Sequence, residues 1–288
     1  HKEPVKQRRK SIATLFPDKI KQTTLGAVSI SHNQKISKEE LALITQVSPD
    51  ANIDFILKEY QSLPLHVKST AGAYKLLSNI LSSHRSCVDV DALYEMYLSL
   101  KHYGPSPDGA IYAILVDQLC QRDLELVRHH GISYDKDYFE LALQVVCDGF
   151  YSRHLFNSSG PFNQLFRCMI PRGCIDKAIY VLSIMESCIG SVKDAESFSL
   201  LIQIFSSDTV PTFPGQSLED RQRHCLYACI QIFQSFENIA SILAQKEPRC
   251  MEFSEKKCVS VWLSMIDAYF LLGDVFGAVA LFEKLMAT

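Results

Sequence analysis

Glycine and proline are scarce in this chain, at twelve and eleven of 288 residues, which excludes a collagen-like, low-complexity or largely disordered polypeptide. Long apolar runs are missing as well. No stretch reaches the roughly 18 consecutive apolar residues that a membrane-crossing helix needs, so no membrane span is expected, and no secretory leader is read at the start. Catalytic motifs are equally thin. There is no glycine-rich phosphate loop, no Gly-x-Ser-x-Gly elbow and no His-Glu-x-x-His pair. Asp89 and Asp91 lack the companion carboxylates of a metallonuclease. The chain is expected to be no enzyme and to carry no cofactor.

What is present is an ordinary globular composition. Hydrophobic residues at 47% and charged residues at 21% leave ample apolar material for a buried core. Ten cysteines look numerous, but Cys120, Cys147, Cys168 and Cys229 fall on apolar helical faces. Buried free thiols in a reducing compartment explain them better than disulfides. His224, Cys225 and Cys229 share one helical stretch, yet even with Cys250 and Cys258 the spacing matches no familiar zinc motif, and no metal is expected. Charge is uneven. Lys2, Lys6, Arg8, Arg9, Lys10, Lys19 and Lys21 against Glu3 and Asp18 give residues 1–22 a net +5, so the rest of a −3 chain carries −8. Residues 1–30 read as a basic arm or linker. Such an arm binds nucleic acid, serves as an address, stands beside a cleaved transit peptide, or is a plain solvated tail.

Two stretches organise the remainder, residues 162–187 and 262–286, and they share one skeleton. An aromatic opens each (Phe162, Trp262), and apolar residues follow at helical spacing: Leu165, Phe166 and Met169, then Met265, Ile266 and Tyr269. A glycine stands eleven residues after the aromatic (Gly173, Gly273), with an alanine five further on (Ala178, Ala278). A second apolar stripe closes each one: Ile179, Leu182 and Met185 in one, Val279, Phe282 and Met286 in the other. Glycine between two periodic segments takes the left-handed conformation that ends a helix, which other residues adopt at about 1–2 kcal/mol. Asp176 and Asp274 sit where carboxylates favour a helix N-terminus. Each pair is too thin to bury its apolar stripe alone, so pairs must stack.

These features resemble the pentatricopeptide repeat: the opening aromatic, the Gly-x-x-x-x-Ala core and the methionine late in the second helix. The tetratricopeptide repeat fits less well, since it wants a small residue four places after the aromatic, where Phe166 and Ile266 stand. The resemblance implies an all-α fold, a right-handed α-solenoid of stacked helical hairpins over residues 31–288.

Along the chain, Ser37-Lys38-Glu39-Glu40 reads as a helix start before a divergent end hairpin. Tyr74, Leu76, Leu77 and Ile80 mark a first helix, Val90, Leu93, Met96, Tyr97 and Leu100 a second. Gly104–Asp108 then resembles a repeat ending. Tyr112 opens the next unit, and Phe139 reads as opening another after Gly131–Asp135. The spacings of 27 from Tyr112 to Phe139 and 23 from Phe139 to Phe162 are short. Phe162 to Phe198 is 36. Residues 206–220 read as an inserted loop, and the 64 residues from Phe198 to Trp262 hold one enlarged repeat or two degenerate ones.

In that family, as the resemblance implies, single-stranded RNA lies along the first helices. Each base is read by the residue after the opening aromatic together with the last residue of the repeat. The first position falls on Lys75, Ala113, Glu140, Asn163, Ser199 and Leu263, the last on Asp108, Asp135 and Asp194. Asn163 with Asp194 matches the combination that favours uracil; Lys75, Ala113 and Leu263 depart from the pattern. Lys75, Arg167, Arg172 and Lys193 would form a basic stripe. The implied role is binding mitochondrial mRNA or rRNA in the matrix, in transcript processing, stability or translation, with the mitochondrial ribosome a candidate partner. The acidic body points the other way, because neutralising phosphates takes lysine and arginine. The alternative is a helical-repeat scaffold that grips a protein.

Overall fold

The computed structural model describes residues 89–103, 107, 109–132, 135–152, 156, 158–188, 193–212, 214–246 and 255–287. Among them nine α-helices occur and no strand. α1 (Val90–Tyr103) begins where Asp89 accepts the backbone N–H groups of Asp91 and Ala92. α2 (Gly109–His130) is followed by α3 (Tyr138–Tyr151), which Asp137 caps by accepting from the Glu140 amide at 3.0 Å. α4 (Gly160–Met169) has Pro161 in its first turn, where proline loses no helical bond. A single 3-10 turn, Ile170–Arg172, leads into α5 (Ile175–Ser187). α6 (Ala195–Ser206), α7 (Leu218–Lys246), α8 (Glu255–Leu271) and α9 (Val275–Ala287) complete the order.

The all-α class expected from the sequence is what the described residues adopt. α2 packs on α3 and α4, α4 on α5 and α6, α6 on α7 and α8, and α8 on α9. Four consecutive hairpins therefore begin with α2, α4, α6 and α8, and each of these first helices touches the next. The aromatics Tyr112, Phe162 and Phe198 lie in the first turns of α2, α4 and α6 and are at most 2% exposed. A fully buried aromatic stabilises the fold by roughly 1.5–3 kcal/mol, so these rings anchor each hairpin to its neighbour.

α6 is buried nearly all round. Leu200, Leu201 and Ile204 join the core of the preceding hairpins, while Ala195, Phe198 and Ile202 join the core formed with α7 and α8. A helix with apolar residues on two opposite faces belongs inside a stack. Cys120, Cys168, Cys188, Cys225 and Cys229 are buried free thiols, in keeping with the apolar faces they occupy in the sequence; burial pushes the Cys229 thiol up to about 12.

The reading of the middle of the chain is corrected. Phe139 opens no repeat. It stands in α3, the second helix of the α2 hairpin, and Gly131 (φ +74) lies at the turn between the two. Tyr112 to Phe162 is thus one enlarged hairpin, because α2 runs for 22 residues. Likewise α7, 29 residues long, pairs with α6, so the described residues between Phe198 and Trp262 include one enlarged hairpin. Of the expected loop 206–220, the described residues 207–212 and 214–217 run without helix, while Ser206 belongs to α6 and 218–220 already open α7. The expectations placed on residues 1–88, with Lys75 among them, and on Asp108 lie outside the described residues.

Candidate functional site: a polar seam across the first helices

Five residues after each opening aromatic the sequence places a polar residue: Asp117, Arg167, Gln203 and Asp267 after Tyr112, Phe162, Phe198 and Trp262. Five helical steps turn the side chain well away from the buried ring, so these residues emerge together along the first helices. Side-chain bonds link α2 to α4, α4 to α6 and α6 to α8 along this row. Gln164 Nε2 on α4 donates to Asp117 Oδ1 on α2 at 2.8 Å, and Gln121 Nε2 donates to Asp117 Oδ2 at 3.0 Å. Arg167 donates to Gln164 Oε1 at 3.0 Å and forms an ion pair with Glu196 at the start of α6. Gln203 on α6 donates to Ser264 Oγ on α8 at 3.1 Å, and the Ser199 and Ser264 hydroxyls bond at 2.7 Å.

The seam has a buried centre between α4 and α6. Asp194 is the N-cap of α6, accepting from the Ser197 amide at 2.8 Å. Ser159 Oγ, at the start of α4, donates to Asp194 Oδ2 at 2.5 Å, and Asn163 Nδ2 donates to Asp194 Oδ1 at 3.1 Å. The second Asn163 N–H reaches Glu196 at 3.4 Å, and Asn163 Oδ1 accepts from Ser197 Oγ at 2.8 Å. Burial pushes the Asp194 carboxyl up, but the bonds donated by Ser159, Ser197 and Asn163 outweigh it and hold the pKa below the usual carboxylate value.

The structure thus brings Asn163 and Asp194 together, yet not as an open base-reading pair. Asn163 is 1% exposed, and both of its N–H groups are spent inside the protein. Ser199, also buried, is spent on Ser264 and Gln203. The expected basic stripe is corrected too. Arg167 is paired with Glu196, and Lys193 Nζ lies 2.6 Å from Glu186. Arg172 is turned inward onto Asp123 at 2.8 Å, with side-chain exposures of 8% and 0%. Glu140 pairs with Lys177 on the second-helix side. Asp135 is exposed and caps no helix; that role falls to Asp137.

Asp117, Asp194, Glu196 and Asp267 against Arg167 leave the seam at −3. Sequence reasoning named Asn163, Asp194, Ser199 and Arg167 but missed Asp117, Gln164, Glu196, Gln203 and Ser264. The polar residue recurring five places after the aromatic was the signal that finds the row. Among the described residues no cluster of three or more His, Cys, Asp or Glu side chains could hold a metal ion. Cys229 instead donates to the Ile202 carbonyl, and His224 bonds the Asp220 carbonyl. No helix of the described residues is long and apolar enough to cross a membrane. No model of a known protein family and no characterised protein matches the sequence.

Asp194→Ala tests the centre of the seam. It removes an N-cap worth about 0.5–2 kcal/mol and strands the buried Asn163 amide at about 1–3 kcal/mol. The expected loss is roughly 2–4 kcal/mol in a urea titration, and an unmoved midpoint would contradict the network. Because the folded pKa of Asp194 is depressed, its contribution is fully present above the unfolded value of about 3.9 and is lost as pH falls through the folded one.

Proposed function

We propose that the hairpins stack into a right-handed α-solenoid, and that this non-catalytic scaffold holds a partner protein along the face of its first helices. The observation that carries this reading is the charge state of the seam. Its balance is −3 and its one arginine is already paired with Glu196. A surface that binds RNA must offer unspent cations to the phosphates. This seam offers acids and satisfied amides, which suit a basic or polar protein segment better.

RNA binding is the second reading. It is favoured by the meeting of Asn163 with Asp194 at 3.1 Å across 31 residues of sequence, and by the +5 of residues 1–22. On that reading the chain acts on mitochondrial transcripts, in their processing, stability or translation, and the bound strand displaces Ser197 and Glu196 from Asn163.

One titration separates the two. A fluorescent uridine-rich single strand, offered at two salt concentrations, is expected not to bind saturably even at low salt. Micromolar binding that weakens steeply with salt would replace the scaffold by the RNA reading. Affinity purification from a matrix extract after ribonuclease treatment supplies the complementary arm. A protein retained by the native chain and released by Asp117→Lys with Asp267→Lys is the expected outcome, and one indifferent to those charges does not sit on the seam.

A further inference from the structure

Two acids of the seam keep their charge open, and they stand at its two ends. Asp117 on α2 accepts from Gln121 and Gln164. Both are neutral amides, so its charge meets no cation among the described residues. Asp267 on α8 is exposed and has no partner among the described residues. Its exposure does not depend on its place in the last hairpin. Gln203, also five residues after its aromatic, is exposed although α8 packs against its helix. Between the two ends the charges are matched or enclosed. Arg167 is paired with Glu196, and Asp194 is held by Ser159, Asn163 and Ser197.

Spacing and hydrogen-bonding capacity say what kind of chain fits such a row. Asp117 and Asp267 sit at one level, each five residues after its aromatic, and the steps α2 to α4, α4 to α6 and α6 to α8 separate them. At roughly 8–10 Å per step the two carboxylates are about 24–30 Å apart. An extended segment covers that distance in about eight residues at roughly 3.3 Å each, a helix in about 16–20 at roughly 1.5 Å. The floor chooses between them. Gln121 and Gln203, both exposed, give their N–H groups to Asp117 and to Ser199 and Ser264. That leaves the carbonyl oxygen of each as an acceptor unspent among the described residues. A helix has spent its backbone N–H groups on itself and docks by an apolar stripe. An extended chain still has N–H groups to give, and the row from α2 to α6 offers it acceptors.

We infer that the seam takes an extended protein segment laid across the four first helices. One lysine or arginine of the segment meets Asp117, a second, about eight residues away, meets Asp267, and the residues between them are polar and uncharged. This rests on the scaffold reading and names the chemistry of its partner. An exposed ion pair alone contributes little, but two joined by a segment of the right length bind far better than either one.

Fluorescence anisotropy of labelled peptides against the 288-residue chain tests this. Each peptide carries two arginines and no other charge. They stand about eight residues apart in one polar sequence, about three apart in another, and about seventeen apart on an alanine-rich helix. The eight-residue spacing is expected to bind at least about tenfold more tightly than either of the others. Asp117→Asn and Asp267→Asn should each abolish that preference with an unchanged circular dichroism spectrum. Glu219→Gln, which changes an exposed acid at the start of α7, should leave it as it was. Equal binding of the two polar peptides, tighter binding of the helix, no binding of any, or a preference indifferent to both aspartate changes overturns the inference. The scaffold reading fails separately, by salt-sensitive binding of the uridine-rich strand. A protein released by Asp117→Lys with Asp267→Lys, beside peptides that ignore the spacing, keeps the scaffold and removes the extended segment.

Discussion

Gly173→Ala is expected to cost about twice what Gly273→Ala costs, although the two glycines hold the same place in the repeated skeleton. Both have positive φ, +58° and +90°, so each alanine bears the left-handed penalty of about 1–2 kcal/mol. The surroundings differ. A Cβ on Gly273 meets nothing within 4 Å, whereas one on Gly173 would stand 2.4 Å from the Thr209 carbonyl oxygen and 2.6 Å from the Val210 nitrogen. That loop is not free to retreat. Ser207 Oγ and Thr209 Oγ1 donate to the Ile170 carbonyl at 3.2 and 3.0 Å, and Arg221 donates to the Val210 carbonyl at 2.5 Å. Displacing it adds an overpacking cost of about 1–3 kcal/mol. Gly173→Ala should therefore lose roughly 2–5 kcal/mol in urea-induced unfolding, and Gly273→Ala only about 1–2 kcal/mol. Equal losses would show that the loop after α6 does not seat on the α4–α5 turn.

That contrast marks where the sequence is legible and where it stops. Local signals carry the hairpins: the opening aromatics, the glycine turns and the apolar stripes are all periodic in the chain, and the buried first-turn rings of α2, α4 and α6 follow from them. Phe139 was misread because a buried aromatic near a helix start looks the same in a first helix as in a second. Only the partner decides, and Phe139 sits in the helix that folds back on α2. The length of α2 hides the fact, since a 22-residue first helix breaks the spacing that the eye follows.

The seam was half legible for a related reason. Asn163 and Asp194 are 31 residues apart in sequence and were paired through a resemblance. What the resemblance could not supply was their burial, which depends on Ser159, Ser197 and Glu196 closing around them. Arg172 shows the same limit. Its charge placed it on a surface stripe, and a carboxylate on another helix drew it inside.

Asp123→Asn should be among the most damaging near-isosteric changes in the chain. Asp123 is 0% exposed and accepts two N–H groups of Arg172 at 2.8 and 2.9 Å, along with the Phe139 amide at 3.2 Å. Arg172 also donates to the Cys168 carbonyl at 2.8 Å and lies over the Phe139 ring, 5.0 Å from its centroid. α2, α3 and the end of α4 therefore meet on one ion pair. Asparagine keeps the shape and can still accept from Phe139, but it leaves a guanidinium buried without its counter-charge, at about 3–5 kcal/mol. For a chain of this size that is roughly 10 °C in melting temperature. The exposed pair Lys136–Asp91, with side chains 41% and 50% open, is the control, and Lys136→Ala should cost under about 1 kcal/mol. The double change Asp123→Leu with Arg172→Met removes both charges and fills the space with apolar atoms. It should recover most of the loss, because an apolar pair of similar volume often equals or exceeds a buried ion pair. If Asp123→Asn melts with the native chain, the pair is not buried. If the double change is as unstable as the single one, the cost lies in the hydrogen bonds to Phe139 and Cys168 rather than in the stranded charge.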